Sequence, residues 1–222
     1  MPSLIDKFTR SITAGWGTSD SYHEWAVFAG PAANWDINGA NGTYTPNTPG
    51  QGGEMQLDLG QQSIIAGQYD WRFETAWVGN LNRLELFFRL DVPSSVGYRI
   101  RLENGTSDRV TLEFMNLSGV PFGNYNVVEP YTYGTWYTCK FYMYQHNFFV
   151  KTWDRSQIEP ATWNMNVQNH SITGTNSQTH MRFSIFHGSS VINVFGFDNI
   201  NILYNSLSDV SLASLESGRG AV

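Results

Sequence analysis

Five residues on three neighbouring stretches of this chain have the chemistry to bind a sugar. Glu85, Phe87 and Arg89 alternate within LELFFRLD, Arg101 lies in YRIRLE, and Glu113 in VTLEF. Alternate side chains of a strand share a face, so Leu84, Leu86, Phe88 and Leu90 join Tyr98, Ile100, Leu102, Val110, Leu112 and Phe114 on an apolar side. The opposite side gathers Glu85, Phe87, Arg89 and Asp91 with Arg99, Arg101, Glu103, Thr111 and Glu113. An aromatic ring stacks on the C–H face of a sugar, while guanidinium forks and carboxylates bind hydroxyls or acidic substituents. The competing reading is a ladder of cross-strand ion pairs on a solvated sheet.

A second group of rings lies in 136–163. Tyr137, Cys139, Phe141 and Met143 form an apolar register, and Trp136, Tyr142 and Tyr144 oppose it, which makes Trp136 and Tyr142 candidates for stacking on a glycan. A tight turn at Gln145-His146-Asn147 joins this strand to the next. Trp16, Trp25, Trp71, Trp153 and Trp163 are assigned mainly to the core, where aromatics supply most of the burial energy. The loop 125–133 adds aromatics expected to be exposed, suited to a sugar or to a neighbouring subunit.

Hydrolysis of a glycosidic bond needs two carboxylates in one cleft. Glu85 and Glu113 share a face, but the Glu-x-Asp-x-x-Glu strand motif of glucanases is absent. The five histidines have no zinc spacing, and no Gly-x-Ser-x-Gly elbow occurs. Cys139 sits in an apolar register and reads as a buried thiol. Asp6, Asp20 and Asp198 would converge where the termini pair, and such a set suits a structural calcium; the same carboxylates would equally serve as caps on backbone amides.

These residues need strands to position them. The chain has 222 residues with 15% aromatic and 14% charged side chains, a balance that favours strands and turns over helices. Period-two segments fall at 7–9, 24–29, 35–37, 42–45, 54–59, 69–78, 84–91, 97–103, 109–117, 136–144, 148–154, 181–187 and 193–204. Asn38-Gly39, Asn41-Gly42, Gly79-Asn80 and Asn104-Gly105 are among the turn signals between them. The expected fold is all-β, an antiparallel two-sheet sandwich over 1–205, followed by a tail at 206–222. Leu207, Val210, Leu212 and Leu215 of that tail would share one face of a short helix on a partner, or the terminus simply frays. The net charge of −6 argues against nucleic acid as main partner, and no stretch is apolar enough to insert into a membrane as a helix. Residues 1–10 lack the apolar run of a signal peptide.

Several short motifs follow one another along the chain: Asp6-Lys7-Phe8-Thr9-Arg10, Gly15-Trp16-Gly17-Thr18-Ser19-Asp20, Trp25, Tyr98-Arg99-Ile100-Arg101-Leu102, Trp136-Tyr137 with Lys140, and Lys151-Thr152-Trp153. Glu159-Pro160-Ala161-Thr162-Trp163 and Phe197-Asp198-Asn199-Ile200 complete them. In this order, over about 4–204, they resemble the concanavalin A-like jelly roll of laminin-G type found in virion and minor tail proteins of tailed bacteriophages. It implies a virion structural protein at the tail tip or in a fibre, made in the host cytoplasm and released by lysis. Many copies, as a homo-oligomer or beside other virion proteins, would present a non-catalytic, glycan-binding surface for host attachment. A capsid decoration or head-fibre protein, and a polysaccharide-degrading glycoside hydrolase, are the alternatives within the same fold.

Overall fold

Alternation along the chain resolves into two antiparallel sheets stacked face to face. The computed structural model describes residues 3–59, 62–74, 79–91, 96–104, 109–115, 120–126, 131–144, 147–168, 180–189 and 194–206. Its strands are β1 (Ser3–Asp6), β2 (Ser11–Ile12), β3 (Trp25–Ala29), β4 (Trp35–Asn38), β5 (Gly42–Tyr44), β6 (Gly53–Asp58), β7 (Gln62–Phe73) and β8 (Gly79–Asp91). They continue with β9 (Val96–Asn104), β10 (Arg109–Met115), β11 (Val120–Asn126), β12 (Tyr137–Tyr144), β13 (Asn147–Asp154), β14 (Met165–Gln168), β15 (His180–Ser189) and β16 (Phe195–Ser206). One sheet has nine strands in the order β14-β13-β12-β7-β16-β5-β4-β2, with β1 also paired to β16; the other has seven, β11-β10-β9-β8-β15-β6-β3.

The core lies between the sheets. The seven-stranded sheet contributes Met55, Leu57, Leu84, Leu86, Phe88, Ile100, Leu102 and Phe183, and the nine-stranded sheet Tyr69, Trp71, Phe73, Phe141, Phe195, Phe197 and Ile202, all buried. Each such side chain contributes about 1.5–3 kcal/mol on leaving water, and a slip of one residue would turn a whole row outward. Register is therefore fixed where the site needs it.

Trp16 joins the sheets at one end. The Gly15-Trp16-Gly17 loop drops it, fully buried, among Phe8, Trp25, Trp35 and Phe197 at ring-centroid distances of 5.0–5.2 Å. Its backbone is pinned on both sides, because Gly15 N–H donates to the Trp35 carbonyl and Trp25 N–H to that of Gly17.

Several elements differ from the sequence-based expectation. The strand expected at 7–9 forms earlier, as β1, because Phe8 adopts φ +53° to send its ring to Trp16. Gly79-Asn80 is not a turn but the start of β8. Three strands had no alternating signal, the two-residue β2, β11 and β14. Pro121 and Gly123 interrupt the pattern of β11, and a Cβ at Gly123 would strike Met165 and Val167 of β14, so the glycine lets the two sheets close at this edge. The loop 125–133 does not present its aromatics either. Tyr131 is buried 4.7 Å from Trp71, and the Tyr133 hydroxyl donates to Asn104 Oδ1. The expected helix in the tail lies outside the described residues, within which no helix is long and apolar enough to cross a membrane.

Candidate functional site

Antiparallel pairing lays the outer face of the seven-stranded sheet out as a grid. One row crosses the sheet through Ala29, Glu54, Ser184, Glu85, Arg101 and Thr111, each the register partner of the next. The next row runs through Gln56, Arg182, Phe87, Arg99 and Glu113, and on the other flank Phe186 pairs with Arg83 and Arg83 with Glu103. Three of the residues singled out in the sequence, Glu85, Phe87 and Arg101, thus come together. Arg89 and Glu113 lie on β8 and β10, but their side chains fall outside the described residues.

Charges on this grid interlock. Glu85 accepts from Arg101 Nε at 2.7 Å on one oxygen and from Arg99 Nη1 at 3.1 Å on the other. Glu103 is fully buried and accepts from Arg83 Nε at 2.7 Å. On the β6 side, Arg182 donates to Glu54 at 3.0 Å and twice to Gln56 Oε1, and the Ser184 hydroxyl donates to Glu54 at 3.1 Å. Burial lowers the Arg182 guanidinium from its ordinary value, against the pull of Glu54. The ion-pair ladder anticipated as the bland alternative is real, and it surrounds a hollow.

That hollow has a volume of about 370 Å³ and is lined by Glu54, Ser184, Glu85, Arg83, Arg101 and Phe186, among others. Phe186 is 47% exposed and Phe28 49%. A register shift in β3 between Val27 and Ala29 makes Phe28 the extra residue, and its ring lies 3.6 Å from the Arg182 guanidinium. Bulges commonly re-aim side chains in this way. The stacking ring expected at Phe87 is a correction: it is 8% exposed, tucked near the Arg99 guanidinium. The sequence reading missed Phe28, Phe186, Glu54, Arg83 and Ser184. Alternation in MRFSIF marked Phe186 as outward, whereas nothing in WAVFA marks a bulge.

Trp136 and Tyr142 do not join this hollow. Both belong to the nine-stranded sheet's side, where Tyr142 pairs with Phe149 and Ala66, and Trp136 stands 4.4 Å from the Arg72 guanidinium and 5.2 Å from that of Arg155. Trp153 and Trp163, expected mainly in the core, also lie on this outer side around Lys151 at 5.7 and 4.8 Å. Lys140 and Lys151 are direct register partners, a repulsive pairing, and Glu159 bridges them at 2.8 and 2.6 Å. The Glu159-Pro160 to Trp163 motif is thus a clamp over two lysines, with the Pro160 carbonyl also accepting from Lys151.

The expected calcium ligands do not converge. Asp6 is fully buried; one oxygen accepts from Phe8 N–H and Arg10 Nη1, the other from Arg10 Nη2 and Trp25 Nε1. Asp20 stands 3.8 Å from the same Arg10 Nη1 that meets Asp6, and accepts from Lys7 N–H. Asp198 is elsewhere, beside its register partner Asp70, where Arg155 donates to both at 2.8 and 3.1 Å. Burial, with the neighbouring Asp70 charge, raises the Asp198 carboxyl above its ordinary value, although Arg155 and Asn199 act to lower it. Calcium needs oxygens turned towards one point, and these are turned towards N–H donors, so the three residues do not fit the ion. Among the described residues no group of three His, Cys, Asp or Glu is placed to hold a metal. Cys139 is buried, and burial pushes its thiol up to about 12, with the Tyr69 hydroxyl acting the other way.

No family model matches this chain, and no curated protein matches it either. Solved structures do. The carbohydrate-binding module CBM66 from Bacillus subtilis is similar at a TM-score of 0.55 and 15% identity, over 80% of this chain and 94% of that one. The exoplasmic/lumenal domain of VIP36, in a Ca2+/Man3GlcNAc-bound form, is similar at 0.61 and 6%, over 95% and 94%. Bacillus licheniformis β-glucanase is similar at 0.61 and 12%, over 91% and 98%. The fold is the concanavalin A-like jelly roll. Identities this low carry the architecture alone, and a jelly roll of this kind hosts both binding modules and enzymes.

Proposed function

We propose that the outer face of the seven-stranded sheet binds carbohydrate and that the domain is a non-catalytic adhesive module. The observation that carries this reading is the hollow lined by the exposed Phe186 ring with Glu54, Ser184 and Arg83, with a second exposed ring, Phe28, against the Arg182 guanidinium that binds Glu54. Rings and charged forks side by side match the two surfaces of a sugar. The CBM66 and VIP36 structures, named for carbohydrate binding and for a bound Man3GlcNAc, support the assignment by analogy of fold.

An inverting hydrolase is the second reading, because Glu54 and Glu85 face one hollow from strands two apart, about 9–10 Å between backbones. Both oxygens of Glu85 are held by guanidiniums, which leaves it ill placed to donate or take a proton. Glu85 and Glu113, the pair anticipated from sequence, stand roughly 12 Å apart along the grid.

The finer setting, a virion tail tip or fibre in many copies, is supported by the phage-like motifs quoted above. Weak single sites then give firm attachment by multivalency. Titration of the purified protein against soluble polysaccharides and bacterial envelopes tests the binding reading. Saturable binding without release of reducing ends is the expected result, and release abolished by Glu54→Gln would establish the hydrolase instead. Antibody labelling of particles tests the setting: label at the tail is expected, label on the shell would make it a capsid decoration protein, and particles without label would remove the virion role.

A further inference from the structure

On the β8–β9 side of this hollow the charged groups lie in two layers. The carboxylates are underneath: Glu103 has no exposed surface and the Glu85 side chain is 8% exposed, whereas the Arg83 and Arg101 side chains above them are 29% and 14% exposed. What an incoming ligand meets on the β8–β9 side is guanidinium. Arg83 is the most open of these. Its neck is tethered, with Nε donating to Glu103 at 2.7 Å, and its Cζ lies 5.3 Å from the centre of the Phe186 ring. Its terminal Nη1 and Nη2 have no partner among the described residues. A guanidinium fixed at Nε and open at its fork is preorganised for a planar, two-oxygen acceptor.

The other side of the hollow is of opposite character. Glu54 is 25% exposed and, with Ser184, offers acceptor oxygens and a hydroxyl. Phe186 stands between the two sides, as register partner of Arg83 and two residues along β15 from Ser184. A sugar stacked on Phe186 would therefore set one edge against the Arg83 fork and another against Ser184 and Glu54.

We infer that the ligand is a sugar residue carrying a carboxylate, received by Arg83 Nη1 and Nη2, with its hydroxyls donated to Glu54. This rests on the carbohydrate-binding reading and names the ligand class for it. The carboxylate has two natural sources, the uronate of an acidic polysaccharide and the sialic acid of a glycan chain, which the test separates.

Affinities of the full chain for polygalacturonate and for its methyl ester, and for a sialylated glycan and its desialylated form, would be measured side by side. One acidic form is expected to bind about tenfold or more tightly than its neutral partner, with the gap narrowing from about 0.05 to about 0.5 M salt as screening rises. Which acidic form wins identifies the source. Arg83→Gln should remove the preference for the acidic form, and Arg83→Lys should restore part of it. Should Arg83→Gln fail to fold, for loss of its bond to the buried Glu103, the wild-type comparison decides alone. Equal affinity for the acid and its ester, or binding of neutral sugars only, would overturn the inference and leave the carbohydrate-binding reading standing. Binding of no polysaccharide in any form would overturn that reading as well.

Discussion

Arg10 is near both Asp6 and Asp20 and meets the buried Asp6 carboxylate with two N–H bonds of 2.8 Å. Removing one partner of a buried pair leaves an uncompensated charge. Arg10→Ala is therefore expected to cost about 3–5 kcal/mol, seen as a lower urea midpoint, and an unchanged midpoint would show that Phe8 N–H and Trp25 Nε1 suffice for Asp6. Glu159 is a milder case, since it is 40% exposed. Its partial burial alone would raise the carboxyl, but Lys140 and Lys151 outweigh that and hold it below its ordinary value. A depressed folded pKa contributes stability above the unfolded value of about 4.3, and the contribution is lost as pH falls through the folded value. Glu159→Gln should thus lower the melting temperature at neutral pH, and the gap from wild type should close in the acid range below about pH 4. A gap that is independent of pH would mean that packing of the clamp, rather than charge, holds the two lysines.

At the scale of elements, β7 and β16 show how closely backbone and side chain are fitted. Gly67 of β7 faces Ile202 and Phe141, and a Cβ there would approach both at 2.5 Å. Gly67→Ala is expected to destabilise by about 1–3 kcal/mol through overpacking, measured as a lower denaturant midpoint with unchanged slope. A neutral result would mean that the Phe141 ring can retreat. In β16 the chain turns two successive residues outward, Asp198 and Asn199, where pairing with β7 shifts register. Asn199 takes φ +47°, a conformation asparagine tolerates better than most residues. Its side-chain amide then donates to Asp70 at 2.8 Å, so the irregularity ties two strands together across their outer face.

For the whole molecule, the question is which of two outer faces meets a partner, since both are rich in rings and cations. The seven-stranded sheet leaves Phe28 and Phe186 about half exposed, Phe186 lining the hollow and Phe28 against Arg182. On the nine-stranded sheet, Trp153, Trp163 and Phe149 are half-buried around Lys151, under the segment that carries Glu159. Phe186→Ala should weaken carbohydrate binding about tenfold with little change in melting temperature, while Trp153→Ala should spare binding and lower stability. The reverse pattern would move the binding surface to the nine-stranded sheet. Trp16→Ala tests what joins the sheets: loss of a buried indole is expected to cost about 3–5 kcal/mol, and a broadened melting transition would show that cooperativity between the sheets depends on it.

The two-sheet sandwich is legible in strand alternation, because stretches such as LELFFRL and YTCKFYM each have one apolar side that must be buried against another sheet. The sequence by itself also put Glu85, Phe87 and Arg101 on one face, since strand parity is a local property. Contacts between residues distant in sequence are not local, and there the tertiary structure decided. Phe87 is covered by Arg99, Phe28 is turned outward by a register shift, and Trp136 and Tyr142 stand on the opposite sheet from Glu85. The same holds for charge. Asp6, Asp20 and Asp198 have the composition of a cation site; Arg10 lies in the same short stretch as Asp6, but Arg155 was brought to Asp198 and Asp70 by pairing and loops that no single stretch encodes. Parity fixes which side of a strand a residue faces; only folding fixes what it faces.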